Sequence, residues 1–132
     1  MKFTTLFSLI PVLAGTFVAA GTFNSPTSGQ TISANEPFNL TWSSGRYFKE
    51  NSISITVLLT EGEYASKLYG TTLVKDLEPT TTGLYKYYSD LTPSFFYGSE
   101  RSGNFQIVVL ETYTAYSGIP ATSTETLDVV IA

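Results

Sequence analysis

Cysteine and histidine are both missing from this chain of 132 residues, and the two absences remove whole classes of chemistry. Without a thiol there is no disulfide, no thiol nucleophile and no thiolate metal site. Without an imidazole there is no histidine-based triad and no histidine zinc or copper centre. Long apolar runs are lacking as well: downstream of Ala20 no stretch approaches the roughly 18 apolar residues that span a bilayer. Positive charge is sparse, with seven Lys and Arg against eleven Asp and Glu and a formal net charge of −4. The basic footprint of a nucleic-acid or anionic-membrane partner is therefore missing. No cofactor, nucleic acid or membrane anchor is expected.

What the chain does have is aromatic side chains: nine Phe, nine Tyr and one Trp, 14% of the residues. Each buried ring removes on the order of 150–250 Å² from water, which lets a small domain hold together by packing where exported chains commonly use disulfides. The N-terminus has the form of an export signal. Lys2 precedes Leu6 to Ala14, an apolar stretch too short to cross a bilayer, and Val18 and Ala20 occupy the two positions a signal peptidase inspects,. Cleavage after Ala20 would leave Gly21 first, with residues 21–132 matching one sandwich domain of about 100 residues. The expected location is extracellular.

Along residues 21–132 the period is two. Phe38, Leu40 and Trp42 share one face of a strand, with Asn39 and Thr41 on the other,. Ile53, Ile55, Val57 and Leu59 are in phase against Ser52, Ser54 and Thr56. Glu61 to Gly70 is read as a loop, the one segment whose composition would tolerate a helical turn, and Thr71 to Lys75 is strand-like again. Gly83 to Leu91 carries tyrosines at two-residue spacing. In Asn104 to Tyr113, Val108 and Leu110 interrupt the alternation, the pattern of a central strand covered on both faces. Thr114 to Thr124 is read as a loop, and Leu127, Val129 and Ile131 as the last strand. About seven short strands without a ten-residue helix predict an all-β, antiparallel sandwich with no disulfide.

The order of features resembles a fungal family. A Ser-Pro-Thr-x-Gly segment (Ser25 to Gly29) is followed by a strand ending Leu-Thr-Trp (Leu40 to Trp42). An aromatic-rich segment (Leu84 to Leu91) and a Gly-x-Phe-x-Ile strand start (Gly103 to Ile107) come later. These are similar to the N-terminal immunoglobulin-like domain of the yeast cell-wall proteins of β-1,6-glucan assembly and of the Ser/Thr-rich GPI-anchored fungal membrane proteins. The resemblance implies a non-enzymatic role at the wall, with polysaccharide, β-glucan among them, or wall protein as partner. The chain ends after its last strand without an apolar tail, which predicts free secretion. A protein-recognition factor, an effector or fruiting-body surface protein with a protein receptor, is the alternative.

Exposed rings are the candidate ligand surface: Tyr85, Tyr87 and Tyr88 on one strand, Phe96 and Tyr97 beside Phe95 in a loop, and Tyr113 and Tyr116 near another. Flat rings with a polar tip suit sugar faces, and about half of them are expected to be core or loop anchors instead. Trp42, in phase with Phe38 and Leu40, reads as the centre of the core. Asn39-Leu40-Thr41 is the N-glycosylation sequon, with Asn39 facing solvent. Glycoside hydrolysis needs two carboxylates about 5–10 Å apart. Glu61 with Glu63, and Asp76 with Glu78, read as exposed loop charges, and Ser99 to Ser102 as a solvated turn. Export from a eukaryotic host should yield a protein whose N-terminal residue, by mass spectrometry, is Gly21; a product that keeps Met1 contradicts the export signal.

Overall fold

The computed structural model describes residues 21–44, 51–79 and 85–132. The expected export segment, Met1 to Ala20, and the beginning of the expected Gly83 strand lie outside the described residues. Among them are eight strands and one short helix: β1 (Thr22–Ser25), β2 (Thr31–Ile32), β3 (Phe38–Ser43), β4 (Asn51–Glu61), α1 (Tyr64–Lys67), β5 (Thr71–Asp76), β6 (Tyr85–Leu91), β7 (Gly103–Thr114) and β8 (Pro120–Ile131). They form two sheets, β1-β3-β6 and β2-β8-β7-β4-β5. Pairing is antiparallel throughout except for β2, which lies parallel to β8. The fold is an immunoglobulin-like β-sandwich: the alternation predicts the two packed sheets, and the family resemblance implies their immunoglobulin-like form.

The opening segment serves both sheets. After β1 the chain turns through Gly29, whose φ of +80° favours glycine,. The Gly29 N–H donates to the Asp128 carbonyl at 2.7 Å, and this contact hands the chain across to β8 in the large sheet. The core lies between the sheets. Leu40 and Trp42 project from β3 onto Ile55, Val57 and Leu59 of β4 and Phe105, Ile107 and Val109 of β7, with Leu127, Val129 and Ile131 of β8 completing the cluster. Trp42 is 1% exposed, a core residue as its phase predicts. β7 is the middle strand of its sheet, and Val108 on its outer face is fully buried beside Leu58, its cross-strand partner. The doubly covered strand is thus observed.

Three expectations are corrected. Ile53 shares the parity of Ile55 but is 42% exposed, because the pairing of β4 with β7 slips between Ser52 and Ser54 and a bulge turns it out of the core,. The segment from Thr114 to Thr124 is mostly strand: β8 begins at Pro120 and pairs in unbroken register with β7 from Thr114↔Pro120 to Gly103↔Ile131. A central strand offers its full ladder of hydrogen bonds, and the Thr-rich sequence suits a pleated surface. Within the expected loop from Glu61 to Gly70, residues Tyr64–Lys67 close a single helical turn, ended by Leu68 at φ +63°.

Trp42→Ala should empty the centre of the core and lower the free energy of unfolding by about 3–5 kcal/mol, measured by urea denaturation. A loss under about 1 kcal/mol would mean that the indole is not the keystone.

Candidate functional site

The expected ligand-binding rings divide among three exposed places, with Tyr88 in a fourth, between the sheets. On β6, Tyr85 and Tyr87 stand on the outer face of the small sheet, each 61% exposed and opposite Ser43 and Thr41 of β3. Tyr88 has the opposite parity and turns inward, so it does not belong with them. Tyr113, half-buried, and Tyr116, exposed, sit at the end of the sandwich where β7 finishes. Phe96 and Tyr97, both exposed, lie in the segment between β6 and β7 at the other end. Asn39 is exposed on the Tyr87 face, and its Oδ1 accepts the Asp90 N–H at 3.0 Å.

The end that carries Phe96 is concave. A cleft of about 480 Å³ opens there, lined by Leu59, Glu61, Lys67, Tyr69, Phe96 and Phe105 with the small polar residues between them. Its shape follows from local chemistry. Gly70 passes so close to β4 that a Cβ would lie 2.7 Å from the Leu59 carbonyl oxygen, so only glycine fits, and the chain folds back with Tyr69 at the rim. Thr60 Oγ1 donates to the Tyr69 carbonyl at 2.7 Å. Across the cleft, Thr71 Oγ1 donates to the Ser94 carbonyl at 2.6 Å, which holds the aromatic loop against β5. Within that loop, Ser99 Oγ donates to the Phe96 carbonyl at 2.8 Å and closes its turn.

The rings then pair at their edges. Tyr69 and Phe96 meet at 5.7 Å between centroids and 67° between planes; deeper in, Phe95 and Phe105 meet at 5.6 Å and 83°. Arg101, in the turn read as solvated, lays its guanidinium 4.7 Å over the Phe95 ring,. At the mouth Lys67 Nζ is 3.9 Å from Glu61 Oε1, a loose pair that leaves both groups able to meet a ligand. Sequence reasoning found Phe96 but missed Tyr69, which lies in the segment assigned to a loop. No sequence period links the two; Gly70 is the one local signal of a close backbone approach.

A second cluster is internal. Tyr88 Oη donates to Asp76 Oδ2 at 2.6 Å, joining the edge strands β6 and β5 of different sheets. Burial, reinforced by this bond and by the negative charge of Asp76 and Glu111, holds the Tyr88 phenol well above its ordinary value,. Lys86, only 3% exposed, also points between the sheets. Burial lowers its pKa, while Glu111 and Asp76 pull it back up. Ser52 Oγ donates to Glu111 Oε2. Among the described residues no group of three or more acidic side chains could hold a metal ion.

No family model and no curated protein matches this sequence. Among solved structures, the chain is similar to one described as "Structures of Clostridium thermocellum CbhA fibronectin(III)-like modules", with 13% identity and a TM-score of 0.45. The match covers 85% of this chain and 45% of that one.

Tyr88→Phe should cost about 1–2 kcal/mol near neutral pH, because a hydrogen bond to a carboxylate is lost. The sign of its pH dependence is fixed. The unfolded phenol ionises near pH 10 while the folded one stays protonated, so the unfolded state sheds a proton that the native state keeps. Wild-type stability therefore falls as pH rises above about 10, by up to about 1.4 kcal/mol per unit. The gap to Tyr88→Phe should narrow in urea titrations over that range; a gap that widens contradicts the assignment.

Proposed function

We propose that this protein is a secreted, non-enzymatic binding module of the fungal cell wall or extracellular matrix, and that it holds polysaccharide, β-glucan foremost, in the end cleft. One observation carries the reading: two partly exposed rings, Tyr69 at 56% and Phe96 at 50%, wall a concavity whose mouth carries a carboxylate and an ammonium. A pyranose presents a C–H face to a ring and hydroxyls at its rim, and Glu61 and Lys67 supply the acceptor and donor those hydroxyls need. Its volume lies within the usual range for ligand pockets, about 300–1,000 Å³. Glu61 is the one carboxylate among the lining residues, whereas glycoside hydrolysis uses a pair. The sequence resemblance to fungal wall proteins and the export signal supply the setting, and the Asn39 sequon offers an N-glycan on the exposed face of the small sheet.

A second reading rests on a separate observation. The hydroxyls of Thr60, Thr71 and Ser99 are all turned to backbone carbonyls, which leaves the interior mostly carbon. That suits an apolar side chain of a protein partner and favours the recognition-factor alternative. Sedimentation with insoluble β-glucan and with chitin separates the two. Retention on glucan should drop at least tenfold in Phe96→Ala and in Tyr69→Ala, about 1.4 kcal/mol or more per ring, and stay unchanged in Tyr85→Ala. Loss confined to Tyr85→Ala would move the site to the small sheet, and no retention on either polymer would leave the protein-partner reading.

A further inference from the structure

We propose that removal of the export segment creates a structural ion pair: the new α-ammonium of Gly21 with the carboxylate of Glu125. The Gly21 nitrogen lies 3.0 Å from Glu125 Oε2 in a partly buried setting. Gly21 leads into β1, an edge of the small sheet, while Glu125 sits on β8 of the large sheet, opposite Val109. The contact therefore bridges the sheets on the flank away from Tyr88 and Asp76. Hydrolysis of the Ala20–Gly21 peptide bond by water gives Ala20 a carboxylate, which departs with the leader, and leaves Gly21 an amine that takes up a proton near neutral pH. A neutral amide donor then becomes a charged one facing an acidic acceptor, and charge-assisted bonds of this kind are roughly twice as strong.

The residue type at the junction agrees. Any Cβ on residue 21 would lie 2.6 Å from Trp42 Nε1 and 2.8 Å from two carbons of the same indole. Trp42 is the fully packed centre of the core and cannot yield. Glycine is thus the side chain that lets the new terminus lie against the indole and reach Glu125. Small residues at Val18 and Ala20 satisfy the peptidase, while Gly21 satisfies the fold. The cleavage point is in this sense fixed from both sides, and processing one residue earlier or later would misplace the charge.

This inference rests on the export reading above, and the test separates the two. Chains with chemically defined N-termini are compared: Gly21 with a free amine, Gly21 acetylated, and a chain that retains Ala20, each as wild type and as Glu125→Gln. The free amine should raise the melting temperature by about 2–5 °C over the other two forms, the expected range for a half-buried pair in a domain this size. In Glu125→Gln that gain should shrink below about 1 °C. Acetylation keeps the N–H and the chain intact, so it reads out the charge and not the packing. Equal melting of the three wild-type forms, or the same gain in Glu125→Gln, overturns the ion pair. Export with a different first residue would instead overturn the processing site.

Discussion

Two sheets face each other here with no covalent link, and what joins them is the burial of Leu40 and Trp42 from the small sheet against Ile55, Val57, Ile107 and Val109 of the large one. Burial is non-directional, so it draws the sheets together without fixing how they sit edge to edge. Directional contacts do that at the flanks. On one side Tyr88 on β6 donates to Asp76 on β5; on the other the Gly21 nitrogen meets Glu125 on β8. Each flank contact ends on a carboxylate, and each spans the gap between sheets. A hydrophobic centre held between two polar clamps joins the sheets where some other sandwich domains place a disulfide.

The end cleft depends on the same frame. Its floor is core, since Leu59 and Phe105 belong to the central cluster. Its walls are loops, which carry few constraints of their own. Those loops are held by short backbone contacts: Gly70 against β4, Thr71 to the Ser94 carbonyl, Ser99 to the Phe96 carbonyl. A rigid floor with tethered aromatic walls keeps exposed rings in place at small entropic cost. Three hydroxyls turned to backbone acceptors also make the interior largely apolar, and the charged groups, Glu61 and Lys67, stand at the mouth.

Much of this was legible in the residues. Strict alternation in Phe38 to Trp42 set both faces of β3, and the in-phase Ile55, Val57 and Leu59 set the core face of β4, because successive side chains of a strand point to opposite sides. The broken alternation around Val108 announced a middle strand. What failed did so for identifiable reasons. A bulge shifts parity without changing composition, so Ile53 looked buried and is not. The start of β8 looked like a loop because Gly118 and Pro120 punctuate it, yet pairing with β7 overrides that punctuation.

By itself the sequence determined the class of the fold, the sheet faces and the identity of the core, since all three follow from a two-residue period and from which side chains avoid water. It also set aside thiol, imidazole and disulfide chemistry outright. Only the tertiary structure decided which exposed rings act together. Tyr69 and Phe96 meet across 27 positions of chain, and Tyr88 leaves its neighbours Tyr85 and Tyr87 to reach Asp76. Contacts between distant segments depend on how strands are ordered in the sheets and where loops return, and no local period encodes that order.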